Sequence, residues 1–248
     1  MKRIVCISLI MFSAHLFAQI TIPPGTILPV ALNSSLNSRK AKVGQLITAR
    51  VMQDVPLPQG TIRAGSKVIG HITNIKQAGA TNGAQVSLRF DTLLSGKQRV
   101  LITTNLRALA SMMAVEAAQV PESGPDRGTS QNAWTTDQIG GEVVYRGGGP
   151  VTNGFRAVGE PTAKGVLVHV SGKPGTKCRG EIGGNDRLQA LWVFSYDACG
   201  AFGFADLVIA HAGRTDPVGE ITVESDYRDL NVRAGSGMLL RVKDKAAK

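Results

Sequence analysis

The chain has 248 residues, 28 Lys and Arg against 18 Asp and Glu, a formal net charge of +10, and is 43% hydrophobic but only 5% aromatic. That apolar content supports a buried core and excludes an intrinsically disordered chain. The positive balance favours acidic partners, yet the basic residues fall at turn-like sites (Arg39-Lys40-Ala41-Lys42, Lys97-Gln98-Arg99, Lys173 to Arg179) and in the tail Arg241 to Lys248, without an aromatic stripe to stack bases, so nucleic acid is not expected.

In chain order, Lys2 and Arg3 precede the apolar run Ile4–Phe12 and a small-residue region ending at Ala18, the pattern of a secretory signal peptide over residues 1–18 with the mature chain beginning at Gln19. Ile4–Phe17 falls short of the roughly 20 apolar residues a membrane span needs, and no later stretch replaces it, so no transmembrane helix is expected in the mature chain. Cys6 leaves with the leader. Cys178 and Cys199 remain, and outside the reducing cytosol such a pair is expected to be a disulfide, worth about 3 kcal/mol for a loop of that size.

From Ile22 to Thr103 the chain reads as strands at Ile27–Leu32, Leu46–Met52, Lys67–Ile72, Gln85–Phe90 and Val100–Thr103, separated by Pro23-Pro24-Gly25, Pro58-Gln59-Gly60, Asn82-Gly83 and Ser95-Gly96-Lys97. A glycine followed by Thr or Ser opens an alternating apolar strand three times, at Pro24-Gly25-Thr26, Ala64-Gly65-Ser66 and Ala234-Gly235-Ser236. This reuse predicts that Val232–Val242 pairs with the N-terminal strands and closes their edge. Asn105 to Gln119 changes period, with Leu106, Leu109, Met113 and Ala117 on one helical face, and predicts one helix over 105–119.

Pro121 to Asn132 holds turn formers and charge without a large apolar residue, so 120–133 reads as a linker. Short strands follow at Glu142–Tyr145, Gly165–Val170, Leu188–Phe194, Ala205–Ile209 and Glu220–Glu224, with glycine joints at Gly147-Gly148-Gly149 and Gly183-Gly184. The fold expected is mainly β. A small barrel or sandwich (19–119) carries one short helix and a disulfide-containing β insertion (134–230), and 231–248 provides the closing strand and a basic tail.

IPPGTILPVALNSSLNSRKAKVGQLITARVMQDV, then IRAGSKVIGHITNI, then VSLRFDTLLSGKQRVLITTNL, resembles the C-terminal β-barrel of the TrbI-like family, the outer-ring component of conjugation and type IV secretion channels. The resemblance covers about Ile22 to Leu106 and depends on Pro-Gly-Thr, Val43-Gly44, Ala64-Gly65-Ser66 and Phe90-Asp91. It implies a barrel of the cell envelope, here standing alone. Corner and strand positions specify a fold better than a function.

Searching for chemistry yields no catalytic residue, metal site or cofactor. His71, His169 and His211 lack ligand spacing to another His or a Cys. A hydrolase built from His211, Asp216 and Ser195 would lack a Gly-x-Ser-x-Gly elbow. Trp134, Tyr145, Trp192, Phe194 and Tyr196 could form a sugar platform, but Trp192, Phe194 and Tyr196 share one face of an expected strand beside Cys199, as a small core requires. The ligand-contact candidates are Trp134, Tyr145, His211, Arg214 and Asp216. The expected function is a non-catalytic, exported envelope protein (periplasmic, outer-envelope or extracellular) that acts by binding or assembly. Its partners would be envelope proteins, anionic envelope polymers or further copies of itself. The alternative is a lectin-like module for a glycan or another envelope ligand.

Overall fold

The computed structural model of the protein describes residues 21–120, 134–141, 143–146, 150–153, 155–170, 172, 178, 182, 186–210 and 218–244. The expected leader (1–18), nearly all of the expected linker (121–133) and the end of the basic tail (245–248) lie outside them. Strands β1 (Ile27–Leu32), β2 (Leu36–Asn37), β3 (Leu46–Val51), β4 (Val55–Leu57), β5 (Gly60–Ile62), β6 (Lys67–Lys76), β7 (Gln85–Ser95), β8 (Gln98–Leu101) and β9 (Thr104–Ala110) precede helix α1 (Met112–Gln119). After it come β10 (Trp134–Asp137), β11 (Val143–Arg146), β12 (Val151–Asn153), β13 (Arg156–Thr162), β14 (Gly165–His169) and β15 (Leu188–Ala190). The chain then adds β16 (Gly200–Phe202), β17 (Leu207–Ala210), β18 (Ile221–Ser225), β19 (Asn231–Val232) and β20 (Gly237–Val242).

A ten-stranded sheet in the order β16-β9-β20-β1-β3-β6-β7-β18-β17, with β8 also on β7, curls into a nearly closed barrel in which β17 comes back against β9 and β16. The last strand lies between the first and β9, antiparallel to both, with Leu28 opposite Leu240 and Met238 opposite Leu109. β3 and β6 alternate as half-buried strands do, sending Ile47, Ala49 and Val51 and then Val68 and Ile72 into the core. β1, β9 and nearly all of β20 are instead buried on both faces. The segment 191–199 and α1 cover their outer side, and a Cβ on Gly237 would lie 3.0 to 3.2 Å from Val115, Phe194 and Trp192.

The glycine corners share one geometry. Gly25, Gly65 and Gly235 have φ of 82°, 87° and 86°, and Gly44, in Lys42-Val43-Gly44-Gln45, joins them at 81°. Each following amide bonds back three residues, Thr26 to Pro23, Gln45 to Lys42, Ser66 to Arg63 and Ser236 to Arg233, and each glycine N–H bonds a neighbouring strand, at Val242, Ile72, Val51 and Leu32 respectively. These are type II turns, which require positive φ at their third residue. A Cβ on Gly65 would meet nothing within 4 Å, so the cost of Gly65→Ala is purely conformational. It is expected to lower stability by about 1–2 kcal/mol in urea denaturation.

Three readings of the sequence are corrected. The helix expected over 105–119 is a strand up to Ala110 and a helix only from Met112, capped by the Ser111 hydroxyl. Burial on both faces erased the alternation of β9, so Leu106 and Leu109 mimicked a helical period. The strand expected over Leu188–Phe194 stops at Ala190, and Trp192, Phe194 and Tyr196 lie on successive turns rather than one strand face. The insertion expected over 134–230 divides: β12 to β15 form a separate four-stranded sheet, whereas β16, β17 and β18 return to the barrel. Cys178 and Cys199 form a disulfide, with Cα atoms 5.5 Å apart, next to this return point.

Candidate functional site

Gln53 follows β3 and is 2% exposed, so its amide needs internal partners. Its Nε2 donates to Thr162 Oγ1 at 3.0 Å and to the Val166 carbonyl at 3.1 Å, and its Oε1 accepts from the Trp192 amide at 2.6 Å. One side chain thereby joins the barrel, the β13–β14 hairpin and the turn after β15. Trp192 has φ of 54°, the only positive φ of a non-glycine residue among those described. Gly165 has φ of 153°, and a Cβ there would sit 2.4 Å from both Gln53 Oε1 and Trp192 Cα, so the hairpin must present a glycine where it meets this clasp. A second clasp runs from the Ile27 amide to Gln189 Oε1 at 2.9 Å.

A groove lies beside the clasp. A cavity of about 480 Å³ is lined by Arg50, Met52, Gln119, Lys164 and Trp192, among others. It shares Ala163 and Lys164 with a second, of about 310 Å³, that reaches Gln53, Asp54 and Leu167. Volumes of this size suit a small molecule or a short polymer segment. The charges are arranged unequally. Asp54 accepts from the Ala64 amide and from Arg63 Nη1, both at 2.8 Å, and these two bonds, the backbone one first, hold its carboxyl below the usual range. Its charge is therefore already matched. Lys164 and Arg50 are exposed at the groove and form no close ion pair among the described residues, although the Lys164 charge also helps hold the Asp54 carboxyl down. The groove therefore presents net positive charge to a ligand.

None of this coincides with the ligand-contact residues expected from the sequence. Trp134 and Tyr145 lie on the paired strands β10 and β11, where Trp134 is opposite Arg146 and Tyr145 opposite Thr135. His211, Arg214 and Asp216 lie outside the described residues, as do the glycine joints 147–149 and 183–184. Ser195 is buried and donates to Asp197 Oδ1 at 2.8 Å. Trp192 and Phe194 are 4% and 0% exposed, and Trp192 borders the groove. His71 pairs through Nδ1 with Asp91 Oδ2 at 3.0 Å across β6 and β7. Among the described residues no group of three or more His, Cys, Asp or Glu side chains converges as a metal site would require, and no helix is long and apolar enough to cross a membrane.

Sequence inspection missed Gln53 because nothing about a lone glutamine after a strand announces a clasp. The available signal was its neighbour: Gln53-Asp54 interrupts an apolar run between Val51-Met52 and Val55, where a buried polar side chain would need a structural reason. No protein-family description, characterised protein or solved structure matches the chain.

Proposed function

We propose that this protein is a non-catalytic, exported component of the cell envelope that acts by binding, with an anionic polymer or an acidic partner surface as its ligand. The observation that carries the reading is the groove beside Gln53, bordered by buried hydrogen bonds, where Arg50 and Lys164 are exposed and form no close ion pair among the described residues. Rigid walls lower the entropy cost of binding, and like-signed charges without counterions attract a polyanion. The Cys178–Cys199 disulfide fits an oxidising compartment. The barrel-like sheet is compatible with the resemblance to the TrbI-like barrel, and assembly of several copies in the envelope belongs to the same proposal.

The test uses dextran sulfate, with uncharged dextran as the control. Dextran sulfate binding should weaken as salt rises, and the double variant Arg50→Gln, Lys164→Gln should bind about tenfold more weakly at low ionic strength with unchanged melting. Equal binding of both dextrans, or a double variant that binds like the native chain, would overturn the reading.

A further inference from the structure

The four glycine corners are nearly the same turn, so differences among them stand out. The residue after the glycine is Thr26, Gln45, Ser66 or Ser236. Thr26 Oγ1 donates to the Pro23 carbonyl at 2.6 Å, Gln45 Oε1 accepts from the Lys42 amide at 3.1 Å, and Ser66 Oγ lies 3.3 Å from Ser95 Oγ. Ser236 is 0% exposed and its hydroxyl has no hydrogen-bond partner among the described residues. A buried hydroxyl without a partner costs about 1–3 kcal/mol, which a bound ligand would recover.

The corners at Gly65 and Gly235 also differ in charge. In Ile62-Arg63-Ala64-Gly65-Ser66, Asp54 receives both the Arg63 guanidinium and the Ala64 amide. In Val232-Arg233-Ala234-Gly235-Ser236, the Ala234 amide bonds instead to Ser35 Oγ at 3.0 Å. A neutral hydroxyl thus stands where the other corner has a carboxylate. Arg233 has no acidic partner among the described residues.

Both Arg233 and Ser236 line a cleft of about 290 Å³ that is also lined by Ser111, Met112 and Met113, the cap and first residues of α1. Within that first turn, the Ser111 hydroxyl and carbonyl take the amides of Ala114 and Val115. The amides of Met112 and Met113 have no intrahelical acceptor, as at any helix start, and the first turn carries no acidic side chain of its own. Arg233, Ser236 and the first two residues of α1 thus line one cleft, and none of the described residues lining it is acidic.

We propose that this cleft binds a tetrahedral oxyanion of the phosphate class, free or esterified, which supplies the acceptor oxygens that Asp54 supplies at the equivalent corner. The site is separate from the groove beside Gln53 and does not depend on it. Arg233 provides the countercharge, the Met112 and Met113 amides the oriented donors, and Ser236 the innermost hydroxyl.

The test is titration of the purified, disulfide-intact chain with inorganic phosphate and, separately, with glycerol phosphate, followed by amide chemical shifts and by melting temperature. Binding in the millimolar range or tighter is expected, with the largest shifts at Met112, Met113 and Ser236. Stronger binding of the ester would identify an esterified phosphate as the ligand, and stronger binding of the ion a free one. Three variants separate binding from folding. Ser236→Ala removes an unpartnered hydroxyl, so it should melt no lower than the native chain while binding about tenfold more weakly. Arg233→Gln should do the same. Met112→Pro deletes one anion-facing amide at a helix position that tolerates proline, and Ser111, at φ −62° and ψ 155°, already has the conformation that precedes one. No binding of either probe in the millimolar range, or native affinity in both Ser236→Ala and Arg233→Gln, would overturn the proposal.

Discussion

Truncation after Leu230 is expected to abolish cooperative folding of the whole chain, although only its last residues are removed. The deletion takes away β20, which hydrogen-bonds β1 from Ile27 to Ala31 on one side and β9 from Thr104 to Ala110 on the other. It also removes β19, the partner of β2. Val232, Met238, Leu239, Leu240 and Val242 are all buried, and at about 2 kcal/mol each their loss amounts to roughly 10 kcal/mol. A domain of ordinary stability has about 5–15 kcal/mol in total, so little or nothing remains, even before counting the two opened strand edges. Deleting only Lys243–Lys248 removes one ladder bond, Lys243 to the Thr103 carbonyl, and should cost about 1 kcal/mol. Circular dichroism melts of both truncations settle the matter. A cooperative transition at the native midpoint in the longer deletion would show that the barrel stands without its closing strand.

That closing role was legible because glycine writes the corner into the sequence. Gly25, Gly65 and Gly235 repeat a backbone requirement that only glycine meets without strain, and the shared pattern alone joins the two ends of the chain. The fourth corner, at Gly44, lacks the following Ser or Thr and so falls outside the repeated pattern, although Val43-Gly44 stands among the residues of the family resemblance. Strands with one wet face, such as β3 and β6, were legible from their alternation. β9 was not, since burial on both faces leaves no period to read. The groove was hidden for a different reason. Its walls come from Arg50 to Asp54, from Thr162 to Lys164 and from Trp192, and neither the clasp of Gln53 nor the positive φ of Trp192 leaves a trace in local composition.

Arg107 is the second residue whose loss should be severe. It lies in β9, is fully buried, and donates from Nε to the Ala198 carbonyl at 2.8 Å and from Nη2 to the Tyr196 carbonyl. Burial pushes its pKa down to about 9 against the opposing pull of Asp197, which still leaves it charged at neutral pH. Two effects compete on replacement. Removing a buried charge relieves desolvation, and in some proteins an apolar substitute is then neutral or stabilising. Against that, the carbonyls of Tyr196 and Ala198 belong to the turns that cover β20 and β9, and they would lose their donors at about 1–3 kcal/mol each. The second effect should win here, because the bond to the Ala198 carbonyl is buried and water cannot replace that donor, even though Tyr196 and Asp197 are only half-buried. Arg107→Met is therefore expected to lose about 2 kcal/mol and Arg107→Ala, which adds a cavity, about 4 kcal/mol in urea denaturation. Because 191–199 also carries Trp192 and Val193 into the groove, both variants should admit protease at this segment below the global transition and weaken dextran sulfate binding in step. A methionine variant with native stability and native protease resistance would mean that the charge is carried at a net cost and that the turns hold themselves in place.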